Sequence, residues 1–167
     1  RVNWDLSFSS PQPIEQEAQL RLMEKLRNHS GNRSMLVLRP ADGAETKAAW
    51  KLAMEKTDAP TALVLSRQKI KDIPPMKSDR FTEALQIEKG AYIVKECEGQ
   101  PDVILVGNGS EVATLIEGEK ILRRDKGLNV RVVSAPSEHL FYDQSEEYRE
   151  SVIPSGIPVW GMTAGLS

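Results

Sequence analysis

Cysteine is nearly missing from this chain: Cys97 is the only one among 167 residues. No internal disulfide can form, which points to a reducing compartment and a cytoplasmic location. A buried, inert thiol is the expected state of Cys97. Histidine is almost as scarce. His29 and His139, with one cysteine, are too few for a His/Cys metal site at any sensible spacing. Neither sign of charge dominates, since 22 basic side chains face 24 acidic ones. No strong field therefore draws the chain to nucleic acid or to an anionic membrane. No apolar run approaches the roughly 20 residues of a membrane-spanning helix. The opening RVNWDLSFSS has no apolar core of signal-peptide type and no initiating Met, so trimming or engineering of this end stays open.

What is present suits one ordinary domain or two small ones. The periodicity predicts a first amphipathic helix after Pro13, with Ile14, Ala18, Leu22, Met23 and Leu26 on one face and Gly31 as its stop. SMLVLRP reads as a short strand. Asp42 and Glu45 have capping-box spacing before a helix whose apolar face is Ala48, Ala49, Leu52 and Ala53. Trp50 is expected in the core with Ala53 and Met54. TALVLS is a second strand, so residues 35–66 form a βαβ unit with parallel strands. Residues 69–90, with Pro74, Pro75 and no sustained period, read as a surface linker and a boundary. The alternation then restarts with AYIVKE, DVILVG, a helix carrying Val112, Leu115, Ile116 and Leu122 and ending at Gly127, the strand LNVRVVS, short helical turns, and IPVWG. The fold class is α/β, with mostly parallel sheets, βαβ units and two small segments.

Several stretches invite chemistry. Arg67 ends an apolar strand in LVLSRQ, where a planar guanidinium makes a good hook for an anion; a salt bridge or a solvated loop is the plainer account. Gly107-Asn108-Gly109-Ser110 joins a strand to a helix and offers backbone N–H groups to a phosphate. Gly107 and Gly109 match two glycines of a dinucleotide fingerprint, but Val112 occupies the third position and no acidic residue follows the next strand. A tight turn capped by Asn108 or Ser110, with Glu111 in the first helical turn, is favoured. Ser137, His139 and Asp143 lie too close in sequence for a catalytic triad and lack a nucleophile elbow, so Ser137 is read as capping a turn. Arg21, Lys25, Arg27 and Arg33 read as a solvated helix face. Glu15 and Glu17 suit the positive end of a helix.

Seven stretches, taken in order, resemble transketolase: QPIEQ (12–16), LVLRPAD (36–42), AETKAAWKLAME (44–55), PTALVLSRQ (60–68), KGAYIV (89–94), DVILVGNGSEV (102–112) and residues 130–154. The resemblance implies a partial pyrimidine-binding-domain remnant over 1–70, a linker over 71–90 and a C-terminal-like α/β domain over 91–167. It implies that Arg67, in the LSRQ motif, binds a sugar phosphate. The family moves a two-carbon ketol unit between sugar phosphates in the pentose phosphate pathway. It uses thiamine diphosphate and a magnesium or calcium ion at a dimer interface. Here the family's histidines before QPIEQ have no counterpart, and Pro11 stands at one of their positions. The glutamate that activates the cofactor and the diphosphate domain are missing as well, and the C-terminal domain is expected to stop early. The resemblance thus implies a chain with no catalytic, cofactor-binding or metal-binding residues of its own. It would hold sugar phosphate weakly if at all, and pair as a homodimer or with a complementary transketolase chain. A nucleotide- or regulator-binding module, or an assembly module, is the alternative.

Overall fold

The computed structural model describes residues 15–67 and 69–163. Its first half holds α1 (Glu15–Lys25), β1 (Leu36–Leu38), α2 (Gly43–Glu55) and β2 (Thr61–Leu63). β1 and β2 pair in parallel, with Leu36 opposite Thr61 and Leu38 opposite Leu63, as a βαβ unit requires. Asp42 caps α2 by accepting from Glu45 N–H at 2.7 Å. Glu45 reaches back one residue further than a capping box predicts and accepts from Ala41 N–H at 2.7 Å.

The segment read as a surface linker is exposed at Pro74, Pro75 and residues 77–79, but it is not without structure. It contains α3 (Arg80–Ala84) and a 3₁₀ turn (Leu85–Lys89), and it buries Ile73, Ala84 and Ile87. Its prolines and charges hide the pattern because Ile73 stands alone among exposed residues and Ala84, Leu85 and Ile87 fall within a single short helical stretch. Glu83 organises the bend before α3 by accepting from Met76, Lys77 and Ser78 N–H at 2.7–3.1 Å.

The second half holds β3 (Tyr92–Lys95), β4 (Val103–Gly107), α4 (Glu111–Lys126), β5 (Val130–Ser134), α5 (Glu138–Tyr142), α6 (Glu146–Val152) and β6 (Val159–Met162). The sheet order is β3-β5-β4-β6. β4 runs parallel to β5 and β6, whereas β3 is antiparallel to β5. Gly127 closes α4 in the left-handed region, as its position predicts.

Alternate residues send the helices to opposite faces. Leu105, Val130 and Val132 pack with Val112, Leu115 and Ile116 of α4. Ile104 and Val133 pack on the other face with Val152 of α6, flanked by Phe141 and Tyr148. Ala41 and Ile73 join the α4-side core, and Leu140 of α5 packs on the core of β1 and α2. The halves therefore share cores. Gly90 fixes one contact between them. At φ +83° it admits α5 so closely that a Cβ there would collide with Phe141 N and Ser137 O.

Three expectations change. Trp50 is 55% exposed, because it lies with Met54 on the face of α2 turned away from Ala48 and Ala49. Leu22 of α1 and Leu26 just beyond it are also more than half exposed. Cys97 is only partly buried, in a turn beside Glu96, so its pKa rises through burial and then through the carboxylate.

Candidate functional site

The carboxyl ends of the two sheets meet at Arg39. This residue follows β1, and its backbone joins the loops after β5 and β4: Arg39 N–H donates to Pro136 C=O at 2.9 Å, and Gly109 N–H donates to Arg39 C=O at 3.1 Å. The side chain continues across the same junction. Its Nη2 donates to Glu111 Oε2 and its Nη1 to Thr163 Oγ1, both at 3.2 Å. Thr163 Oγ1 in turn donates to Asn108 Oδ1 at 3.2 Å. Arg39 follows its strand just as Arg67 follows TALVLS, so the strand-end signal that singles out Arg67 also marks Arg39.

The Gly107–Ser110 turn is built for close packing. A Cβ on Gly107 would stand 2.7 Å from Leu115 Cδ1, and one on Gly109 would stand 2.7 Å from Arg39 Nε. Neither Asn108 nor Ser110 caps α4 by side chain. Ser110 Oγ donates instead to Glu111 Oε1, and Gly109 C=O receives Val112 N–H. This turn does not fit a diphosphate. Gly109 N–H is already given to Arg39, and the Glu111 carboxylate beside the turn would repel the anion. Among the described residues, no cluster of three or more His, Cys, Asp or Glu is placed to hold a metal ion.

Three ion pairs tie the first half to α5 and its C-cap. Arg21 Nη1 meets Glu138 Oε1 at 3.1 Å, Glu24 Oε2 meets His139 Nδ1 at 2.8 Å, and Arg33 Nε meets Asp143 Oδ2 at 3.0 Å. Arg21 and Arg33 therefore do not belong to a solvated face, whereas Lys25 and Arg27 are exposed. Glu24 also accepts from Val37 N–H at 2.8 Å. Burial pushes its pKa up against the opposing pull of that amide and of His139. The hydrogen bond from Arg33 holds Asp143 below the usual carboxylate range. These partners dissolve the Ser137, His139, Asp143 constellation: His139 faces Glu24, Asp143 faces Arg33, and Ser137 Oγ is buried without a partner. Ser137 sits at the start of α5 but makes no side-chain cap.

Sequence reasoning passes over a second polar cluster. Arg80 Nη1 donates to Tyr92 Oη at 2.8 Å and Arg80 Nη2 to Glu45 Oε1 at 3.0 Å, while Tyr92 Oη donates to Glu45 Oε1 at 2.6 Å. Burial pushes the Tyr92 phenol well above its ordinary pKa and Glu45 adds to this, so it stays a neutral donor. Burial opposes the Arg80 charge, but Tyr92, Glu45 and Asp42 outweigh it and hold the guanidinium charged. The only hint in the sequence is the fully polar trio of Asp42, Glu45 and Arg80 beside apolar runs.

Arg67 lies beyond β2 at the carboxyl side of the small sheet. It is exposed, and it has no hydrogen bond or ion pair to a described residue. Glu15 and Glu17 fall in the first turns of α1.

Residues 9–72 match the family model of the transketolase pyrimidine-binding domain, and residues 90–167 match that of the transketolase-like C-terminal domain. Transketolase of Streptococcus pyogenes serotype M6 is 42% identical over 146 residues, which cover 87% of this chain and 18% of that protein. Bacillus subtilis transketolase is 43% identical over 148 residues, with 87% and 20% covered. The chain thus spans about a fifth of the length of these curated relatives. Transketolase from Leishmania mexicana superposes with a TM-score of 0.76 at 33% identity, over 93% of this chain and 21% of that one. A split-gene transketolase, an inactive β4 tetramer, shares the fold at a TM-score of 0.59 and 23% identity, over 93% of this chain and 53% of that one. The chain belongs to the transketolase family: it is a C-terminal portion that joins pyrimidine-binding-domain sequence to the C-terminal domain.

Proposed function

We propose that this chain supplies the sugar-phosphate grip and the C-terminal scaffold of a transketolase-type ketol transfer, and that it is silent by itself. The observation that carries this reading is the placement of Arg67. In the LSRQ motif its guanidinium is exposed at the carboxyl side of a parallel sheet, with no described partner to neutralise it. Ligands of parallel α/β folds gather at that side, and a fixed charge with a planar fork suits a phosphate ester.

The chemistry needs more than a grip. Thiamine diphosphate supplies the carbanion-stabilising ring, but it requires a carboxylate to set its tautomer and a metal to anchor its diphosphate. The described residues offer no such metal cluster, and the Gly107–Ser110 turn is closed to a diphosphate. Sequence outside these 167 residues carries those parts in a complete site. The exposed apolar side chains Leu22 of α1, Leu26 just beyond it, and Trp50 and Met54 of α2 suit a contact with that sequence. We place the boundary between the two family segments within residues 71–90 and the protein in the cytoplasm, consistent with its one unpaired cysteine. No described helix is long and apolar enough to cross a membrane.

The test is turnover. Purified chain is supplied with xylulose 5-phosphate, ribose 5-phosphate, thiamine diphosphate and Mg²⁺. The expected result is no sedoheptulose 7-phosphate from the chain alone. Turnover without any other polypeptide overturns the reading.

A further inference from the structure

The stripe of α4 that faces the sheet carries Val112, Leu115, Ile116 and then Glu119. The helical period calls for an apolar side chain at that fourth place. Glu119 is 3% exposed, and its carboxylate pairs with no described residue. Carboxylates so deeply buried are normally paired. Its oxygens are not sealed as Thr61 Oγ1 and Ser137 Oγ are, so both keep some surface. Glu119 lines a depression of about 470 Å³ between α4 and β3, together with Lys95 and Arg123.

The backbone of β3 brings Lys95 there. Val94 packs in the α4-side core, so regular alternation would turn Lys95 to the other face. A bulge between Ile93 and Lys95 breaks the alternation, and Lys95 joins Glu119 on the α4 side. Arg123 stands one helical turn after Glu119 on the same face of α4. The side chains of Lys95 and Arg123 also pair with no described residue. Lys120 and Arg124 line the depression too, but Glu117 and Asp125 engage them. One acidic and two basic side chains thus face a single space without meeting. Lys95 also lines an adjoining trough of about 300 Å³, whose apolar walls include Pro74, Met76, Val94 and Ile116. Small-ligand sites run from about 300 to 1,000 Å³.

We propose that this joint site binds an apolar α-amino acid of leucine size. Its ammonium group donates to Glu119. Its carboxylate accepts from Arg123 and Lys95, and its side chain lies in the trough against Val94 and Ile116. Each contact answers one observation. The buried carboxylate calls for a cationic donor, the two free cations call for an anion, and the trough calls for hydrocarbon. A phosphate ester answers only the second and sets its own charge against Glu119. The site is therefore distinct from Arg67, and the inference is independent of ketol transfer.

The test is ¹H–¹⁵N NMR of the 167-residue chain titrated with L-leucine, and in parallel with N-acetyl-leucine, leucinamide and glycine. L-leucine is expected to shift the backbone amides of Lys95, Glu119, Lys120 and Arg123 in a saturable way. N-acetyl-leucine lacks the ammonium group, leucinamide the carboxylate and glycine the side chain. Each is expected to bind about tenfold more weakly or worse. Glu119→Gln, which keeps the shape of the side chain, lowers the leucine affinity by about the same factor. Arg123→Ala alters an exposed position and serves if Glu119→Gln does not fold. It weakens leucine severalfold and leaves leucinamide unchanged. No saturable shift up to the solubility limit of L-leucine, binding of any analogue as tight as that of leucine, or an unchanged leucine affinity in either folded variant overturns the proposal.

Discussion

Arg80 Nε donates to Asp42 Oδ2 across 2.7 Å, and the same carboxylate oxygen receives Ile73 N–H at 3.2 Å. One buried carboxylate thus caps α2, holds the segment before α3 and pairs with α3 itself. Tyr92 extends the network into the C-terminal sheet. Every member is hydrogen-bonded, which makes the cluster a rigid joint and makes any gap in it expensive.

Arg80→Met removes the cation and leaves Asp42 and Glu45 buried without their counter-charge. Urea unfolding is expected to show a loss of about 3–5 kcal/mol, a large share of the roughly 5–15 kcal/mol typical of a domain. Arg80→Lys recovers little, because one ammonium cannot reach Asp42, Glu45 and Tyr92 together. A loss under 1 kcal/mol for Arg80→Met would show that the joint does not hold the halves together.

Gly90→Ala forces a methyl into α5 at Phe141 N and Ser137 O, on a backbone at φ +83°. The expected destabilisation is about 3 kcal/mol or more, from strain and overpacking together. Gly99→Ala is the control. Its φ of +75° is equally unusual, but nothing lies within 4 Å, so its effect is confined to about 1 kcal/mol of backbone strain. Thermal unfolding of the pair separates the two contributions.

Glu83 makes stability depend on acid. Burial alone would raise its pKa, but the amides of Lys77, Ser78 and Met76 outweigh burial and hold it below the usual range. A depressed carboxylate contributes stability that is complete above its unfolded pKa, about 4.3, and is lost as pH falls through its folded value. Asp143 has the same sign. Glu24 has the opposite one: its raised pKa favours the protonated folded form, so its contribution fades as pH rises above the ordinary carboxylate range. Glu83→Gln is expected to lose about 2 kcal/mol at pH 7, with the gap to the parent chain narrowing toward pH 3. A gap independent of pH would contradict this assignment.

Arg67→Ala is expected to leave unfolding within about 0.5 kcal/mol of the parent, as an exposed substitution should. It should abolish the weak, saturable ³¹P shift of xylulose 5-phosphate titrated with the chain. An equal shift in the variant would remove Arg67 from the phosphate site.

The alternation of strands and helices is legible in the sequence, because each apolar run is short, uniform and bounded by a turn residue. The α4 face of Val112, Leu115 and Ile116 and the stop at Gly127 fall where the 3.6-residue period places them. Residues 71–90 are not legible. Ile73 is isolated, the helical spacing of Ala84 and Ile87 spans less than two turns, and their burial depends on partners from both halves. The exposure of Trp50, Leu22 and Leu26 is hidden for a related reason: periodicity says which residues share a face, not whether anything lies against it. The end of β2 that precedes Arg67 is legible, since the apolar run TALVL is local. The roles of Glu24 and Arg80 are not, because their partners stand 115 and 38 residues away.

Cofactor binding by the isolated chain is the most direct measurement. Isothermal titration with thiamine diphosphate in excess Mg²⁺ is predicted to give no saturable heat, while a full-length transketolase run alongside binds. Stoichiometric binding to these 167 residues alone would contradict the central claim that they carry the grip without the catalytic centre.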